Sequence, residues 1–320
     1  MSKCIIIGST GQFGFYLTKY LISKKNNTII ITSRSNSKLR NFHLKSRKIK
    51  KLKFSNFSKH KIKDILLSNK PNKIFFFTGQ SSVKKSFNNQ KETFKSNYLI
   101  CKNFIESIKE LNIDCKFINA TSSDMFGNNK NKIKPNSKLK PLSPYGLAKS
   151  MSFNLIKTYR EKYKLKLYNA IIFNTESVLR DKEFFIPKIC LAAIRAHKYR
   201  KKTKFGNLNI SREWNWCEEQ VKYMYLFSNK HPQDFILSNG KNYTGSQMAN
   251  FAFRYFNLDY KKFTLLSKIH YRKKDIKNNK SDFNISLKKN NLTRRPKIYG
   301  KKIIEKIIEH YMKKIKKIKY

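Results

Sequence analysis

"KCIIIGSTGQFG" occupies residues 3–14: three isoleucines run into Gly8, and glycine recurs at Gly11 and Gly14. A β-branched apolar run with no polar alternation suits a strand buried on both faces of a parallel sheet. Glycine lets the backbone turn tightly there. It also lets a pyrophosphate approach the amides at the N-terminus of the following helix. The spacing is G-x-x-G-x-x-G rather than G-x-G-x-x-G, and such turns also occur without ligands. Position favours the binding reading, because this turn opens a βαβ pattern. Gly8, Ser9, Thr10, Gly11, Gln12, Phe13 and Gly14 therefore form the candidate dinucleotide turn.

Moving outward, the same apolar texture returns in "NTIIITS" (27–33), "KKLKF" (50–54), "NKIFFFTG" (72–79), "DCKFINATSS" (114–123), "LYNAIIFN" (167–174) and "DFILSN" (234–239). Longer stretches of helical periodicity separate these runs, which is the pattern of parallel strands joined by crossover helices. The expected fold is α/β: a doubly wound parallel (Rossmann) sheet with a smaller C-terminal substrate-binding lobe. The expected division places 1–174 in the nucleotide-binding domain, with the chain returning to it around 207–240. The lobe would then take 175–206 and 241–320.

The second strand ends without the acid that would bind an adenosine ribose hydroxyl. It offers Arg34 instead, flanked by Ser33, Ser35 and Ser37. A guanidinium there can pair with a 2′-phosphate, so NADP is expected rather than NAD.

Two further stretches carry the chemistry. "NATSSDMFG" (119–127) ends a strand on the Ser122 hydroxyl and the Asp124 carboxylate, and "SPYGLAKS" (143–150) opens a helix. Tyr145 and Lys149 stand four residues apart and so share a helix face. A phenol ordinarily ionises near pH 10. A neighbouring ammonium and an oxidised nicotinamide ring would both favour its anion, making it a base at neutral pH. The spacing alone means little in this chain, since Tyr20 with Lys24 and Tyr98 with Lys102 repeat it. Context supplies the weight: a glycine turn upstream, then a strand end with a hydroxyl and an acid.

The chain has 320 residues, 71 Lys+Arg against 19 Asp+Glu, and a formal charge of +52. A surface like that attracts polyanions. However, the lysines are spread along the whole chain among Asn, Ile, Phe and Tyr, whereas a nucleic-acid footprint clusters. The reading is compositional bias with no specific nucleic-acid partner, and the charge helps collect an anionic substrate. No stretch approaches the roughly 18 apolar residues of a membrane span, and the start lacks a signal-peptide apolar region. Both point to a cytoplasmic protein. The five cysteines are scattered with no C-x-x-C, which argues against disulfides and a zinc site. In "KKIIEKIIEHYMKKIKKIKY" (301–320), Ile303, Ile307, Ile308, Tyr311, Ile315 and Ile318 fall at helical spacing. A terminal helix docked on its own core is favoured over one lying on a membrane.

These segments together resemble the extended short-chain dehydrogenase/reductase family, and within it the GDP-mannose 4,6-dehydratases. The resemblance covers nearly the whole chain: "GSTGQFG" (8–14), "TGQSSVKKSF" (78–87), "ATSSDMFG" (120–127), "SPYGLAK" (143–149), "IIFNTESVLR" (171–180) and "GNLNISREW" (206–214). The last two are the most specific. It implies an NADP site made by the glycine turn and Arg34 with Asn56, Phe57, Phe77, Gly79, Gln80, Thr175 and Arg180. It implies a GDP-mannose site made by Ser81, Asn174, Lys188, Arg212, Arg272 and Asp275. It further implies a homodimer or homotetramer.

The implied reaction is an internal redox cycle yielding GDP-4-keto-6-deoxy-mannose. Tyr145 takes the proton of the sugar O4, Lys149 supports it, Ser122 binds near O4, and Asp124 removes the C5 proton. Several positions depart from the family pattern. Ser122 stands for threonine, Asp124 for glutamate, Asn56-Phe57 for Asp-Leu, Thr175 for histidine, and Asn215-Trp216 for Gly-His. Aspartate keeps the carboxylate but is one methylene shorter, and a misplacement of about 1 Å can cost on the order of 100-fold. A reductase or epimerase of the same family would share Tyr145 and Lys149 without needing the acid at 124. A catalytically impaired, basic Rossmann-like binding protein is the alternative outside enzymology.

Overall fold

All seven apolar runs become strands of one parallel sheet. The computed structural model describes residues 2–24, 27–40, 42–267, 276 and 278–317. Six strands come in chain order: β1 (Ser2–Ile7), β2 (Asn27–Ser33), β3 (Ile49–Lys53), β4 (Lys73–Phe76), β5 (Lys116–Ser122) and β6 (Leu167–Ile172). With the edge strand Asp234–Leu237, the order across the sheet is edge strand, β6, β5, β4, β1, β2, β3. The sheet reverses direction of growth between β1 and β4, which pair from Cys4↔Lys73 to Ile7↔Phe76. In doubly wound sheets, ligands bind beyond the carboxyl ends of the strands at such a switch point.

Burial explains the unbroken apolar texture. Ile5, Ile6, Ile7, Ile74, Phe75, Phe76, Phe117 and Ile118 are all fully buried, because helices cover both faces of the sheet. On one face Ile5, Ile7, Phe76 and Phe117 join Ile62, Leu66, Phe104 and Ile105 in a single cluster.

The helix Pro144–Tyr163 starts where the sequence says it should. Ser143 caps it by accepting from the Gly146 amide at 3.0 Å, with Pro144 in the first turn. A buried polar net then locks it to the sheet. Asn119 Nδ2 donates to Ser152 Oγ (3.4 Å) and to Asn169 Oδ1 (3.3 Å). Asn169 Nδ2 in turn reaches Asp234 Oδ1 at 2.9 Å, and Arg160 grips Asp234 with two bonds of 2.8 and 2.9 Å.

Contacts divide the chain into two compact units. The first comprises 1–127, 135–172 and 221–237, and holds the seven-stranded sheet. The second comprises 128–134, 173–220 and 238–320, so 207–220 group with it. Its core packs the helices Phe185–Tyr199, Gly245–Arg254 and Lys301–Lys317 around Trp214 and Trp216. Ile303, Ile304, Ile307 and Ile308 are fully buried there and Tyr311 nearly so, which is the docked form of the terminal helix; Ile318 lies outside the described residues. Small sheets complete the unit. Ser211–Arg212 lies between Tyr243–Thr244 and Asn278–Asn279, and Thr175–Glu176 pairs with Asn215–Trp216. All five cysteines are buried and free. Among the described residues, no helix is long and apolar enough to cross a membrane.

Candidate active site

The glycine turn sits at the carboxyl end of β1. Gly8 has φ +85°, and a Cβ there would stand 3.1 Å from Phe77 C and Thr78 N. Gly14 brings the helix Gln12–Ile22 hard against the turn, since its Cβ would fall 2.6 Å from the Gly8 carbonyl. Gly11 is less confined, with Gly8 O at 3.5 Å from the same test position. Gly11 caps the helix with no side-chain acceptor, as suits amides that face an anion. Ser9 is buried and ties β1 to β2 by donating to the Thr32 carbonyl at 2.8 Å. Thr10 is exposed, Gln12 half-buried, and the Phe13 ring leans on Phe77 at 5.7 Å.

The strip after β4 is held in place by the helical segment opposite. Gly79 has φ +137°, and a Cβ there would collide with the Asn97 amide. Asn97 Nδ2 donates to the Gln80 carbonyl at 3.1 Å, and Gln80 N donates to Ser96 Oγ at 3.2 Å. Ser96 and Asn97 lie in a single π-turn, Lys95–Leu99, and such bulges often mark functional positions. Sequence reasoning missed Asn97; its one signal was a buried-pattern asparagine in an apolar helical stretch. Ser81 is exposed. Arg34 is exposed and lies 3.8 Å from Glu92 Oε1. Asn56 accepts from the Ser58 amide at 2.9 Å, and the Phe57 ring packs on Phe54 at 4.5 Å.

The four chemical residues meet at the end of β5. Ser122 closes the strand and accepts from the Asp124 amide at 3.2 Å; its hydroxyl lies 3.4 Å from Asp124 Oδ2. The turn Ser123–Phe126 presents the half-buried Asp124. Gly146 lets the head of the Tyr145 helix reach this turn, because a Cβ there would be 2.8 Å from the Asp124 carbonyl. Tyr145 and Lys149 are both buried. Lys149 Nζ donates to the Ala120 carbonyl at 2.7 Å and lies 5.9 Å from the centre of the Tyr145 ring. Burial pushes this ammonium down to about 8, opposed by the nearby Cys101. The other two Tyr/Lys pairs lack such surroundings: Lys24 simply overlies Tyr20 at 4.9 Å, and Lys102 pairs with Glu106 at 3.6 Å.

Five predicted ligands belong to the second unit. The exposed Asn174 has its carbonyl held by Asn215, from N at 2.8 Å and Nδ2 at 2.9 Å. Thr175 is buried and bonds the Phe173 carbonyl at 2.8 Å. The Arg180 guanidinium stacks on the Phe184 ring at 3.5 Å, with Nε 4.0 Å from Glu176 Oε2. Glu176 is buried, which raises its carboxyl to about 7 against the pull of Arg180. Lys188 Nζ lies 5.0 Å from the Phe205 ring centre. Arg212 is buried and donates to the Ser211 carbonyl at 2.9 Å. Arg272 and Asp275 lie outside the described residues.

The doubly wound sheet thus carries a glycine turn at its switch point and a Ser/Asp/Tyr/Lys cluster two strands along, at the end of β5. The family model described as GDP-mannose 4,6 dehydratase matches residues 5–302, and the chain belongs to that family of lyases. GDP-mannose 4,6 dehydratase 1 of Arabidopsis thaliana is 27% identical, over 98% of this chain and 91% of that protein. The Homo sapiens GDP-mannose 4,6 dehydratase is also 27% identical, over 78% of this chain and 71% of that protein. Among solved structures, dTDP-glucose 4,6-dehydratase from Bacillus anthracis in complex with NAD shares the fold. Its TM-score is 0.84 at 14% identity, covering 98% of this chain and 97% of that one. A UDP-N-acetylglucosamine 4-epimerase from Methanobrevibacter ruminantium does likewise, at TM-score 0.83 and 19% identity, covering 98% and 99%.

Proposed function

We propose that the chain is a nucleotide-sugar 4,6-dehydratase that converts GDP-mannose to GDP-4-keto-6-deoxy-mannose with NADP. The observation that carries this is Asp124, a carboxylate placed by Ser122 and Gly146 against the Tyr145/Lys149 helix head. A ketone reduction or a C4 epimerisation needs the tyrosine and lysine; elimination needs a further base. The turns at Gly8 and Gly14 fit a dinucleotide, because a Cβ at either would collide with the protein's own backbone, and only glycine allows the tight strand-to-helix path that brings the helix amides to a pyrophosphate.

When bound, NADP⁺ supplies the hydride acceptor at C4 and the store from which C6 is later reduced. Tyr145 Oη takes the O4 proton, and Lys149 favours the phenolate by its charge. Asp124 takes the C5 proton once the adjacent carbonyl has acidified it and gives it to the departing C6 hydroxyl, which leaves as water. C5 regains a proton, equal in number to the one Tyr145 took from O4, when C6 is reduced. Ser122 Oγ holds the O4 region and steadies the Asp124 carboxylate. Arg212, with Lys188 and Asn174, takes the diphosphate side of the substrate, where charge-assisted bonds are strongest. Arg34 at an acid-free strand end supports NADP over NAD, and the assembly is a homodimer or homotetramer in the cytoplasm.

The test is incubation of the purified chain with GDP-mannose and no added cofactor, following the 4-keto product. Product formation supports the reading. No product, together with NADPH-dependent reduction of a supplied 4-keto sugar, would assign a reductase instead. Sequence-selective binding of duplex DNA without either activity would assign a binding protein. Cofactor extracted from the purified chain settles NADP against NAD.

A further inference from the structure

Glu213 follows Arg212 and is fully buried. Its carboxylate accepts from four neutral donors: the Ser281 amide at 2.6 Å, the Ser281 hydroxyl at 2.8 Å, the Gly240 amide at 3.2 Å, and the Ser238 hydroxyl. Three of these donors converge on Oε2 and one on Oε1. These donors come from the two segments that flank the Arg212 strand. Ser238 and Gly240 lead into Tyr243–Thr244, which pairs with one edge of Ser211–Arg212. Ser281 follows Asn278–Asn279, which pairs with the other edge. One side chain therefore draws both flanks onto the residue that succeeds Arg212. The next two positions extend the lacing: Asn239 Nδ2 donates to the Trp214 carbonyl at 2.7 Å, and Asn215 holds the Asn174 carbonyl.

We propose that Glu213 is a positioning residue for the substrate diphosphate, fixing the Arg212 strand between its two neighbours so that the guanidinium stands ready. This rests on the dehydratase reading, in which Arg212 takes that diphosphate. A purely structural Glu213 predicts something different: lower stability with ligand affinity untouched.

Glu213→Gln keeps the size of the side chain but turns one acceptor into a donor facing donors. The probe is GDP, which carries the diphosphate without the sugar, titrated calorimetrically beside steady-state turnover of GDP-mannose. The expected result is a GDP Kd and a KM raised about 10-fold or more, kcat within about 3-fold, and NADP affinity unchanged. Glu213→Asp, which retains the charge, recovers part of the loss. In an Arg212→Ala background, Glu213→Gln adds less than about 2-fold to the GDP Kd, because both act through one contact. Unchanged GDP affinity and KM with only a lower melting temperature overturn the role. Should Glu213→Gln fail to fold, Ser281→Ala removes a single donor and is expected to raise the GDP Kd about 3-fold; no change there overturns the role equally. A wild-type chain that neither binds GDP nor turns over GDP-mannose sinks the dehydratase reading itself. A wild type that binds GDP no better than Glu213→Gln sinks only Glu213.

Discussion

Lys149 and Asp124 lend themselves to different tests. Lys149 is enclosed, and its ammonium is pushed from an ordinary 10.5 down to about 8. Above that pH it loses the proton that favours the Tyr145 phenolate. The expected kcat/KM profile with GDP-mannose therefore falls as pH rises through about 8, and Lys149→Met abolishes that limb along with the activity. Stability moves the other way. Between about 8 and 10.5 the unfolded chain binds the Lys149 proton and the folded chain does not, so the wild type gains stability with rising pH. Lys149→Met is expected to be more stable than wild type at pH 7, with the difference shrinking as pH rises from about 8 through 10.5, measured by urea unfolding on both sides of that range. Asp124 is the weaker member geometrically, a short acid where the family carries glutamate. Asp124→Asn should lower dehydration at least about 100-fold while NADP remains bound; full activity in that variant removes Asp124 from the scheme. Tyr145, Lys149 and Asp124 could be picked out as candidates because each belongs to a local motif. Asn97 and Glu213 could not, since the contacts that matter, to Gln80 and to Ser281, stand 17 and 68 positions away, and no local pattern encodes such a pairing.

At the scale of elements, the seven sheet strands were legible because burial on both faces leaves an unbroken apolar run, a signal that needs no partner to read. The two-residue strands of the second unit carry no such texture. Ser211–Arg212 and Asn278–Asn279 are polar, and only the pairing itself makes them strands. The π-turn Lys95–Leu99 is equally silent in sequence. The glycines separate into two kinds that the motif alone cannot distinguish. Gly14 has no room for a Cβ beside Gly8, whereas Gly11 has ordinary contact distance. Gly14→Ala is expected to cost about 2 kcal/mol or more and to lose NADP binding, while Gly11→Ala stays within about 1 kcal/mol; thermal unfolding with cofactor titration distinguishes them. Gly146 is of the first kind, but what it closes is the chemical cluster. Gly146→Ala should push the Tyr145 helix off the Asp124 turn and lower kcat about 100-fold or more with NADP still bound. A near-normal kcat there would show that the close approach is dispensable.

For the whole molecule, the question is what +52 charges do. The few carboxylates are largely surrounded: Glu110 is held down to about 2 by Lys59 and Lys63, and Lys59 also lies 3.5 Å from Glu106. With 71 Lys+Arg against 19 Asp+Glu, there are far too few acids to pair the basic side chains, so the net field around the protein is positive. A diphosphate-bearing substrate is drawn into such a field before it touches any residue, which raises the encounter rate rather than the rate of chemistry. Salt shortens the reach of that field, from about 10 Å at 0.1 M to about 3 Å at 1 M. In the proposed reaction the bonds break beside the buried Tyr145 and Lys149, where salt screens little. Raising NaCl from 0.05 to 0.5 M is therefore expected to lower kcat/KM for GDP-mannose about 10-fold with kcat nearly constant. Neutral viscogens separate this from ordinary diffusion effects, since they slow encounter without screening. A kcat/KM indifferent to salt would mean that the charge is compositional bias alone, with the diphosphate recognised only at contact by Arg212 and its neighbours.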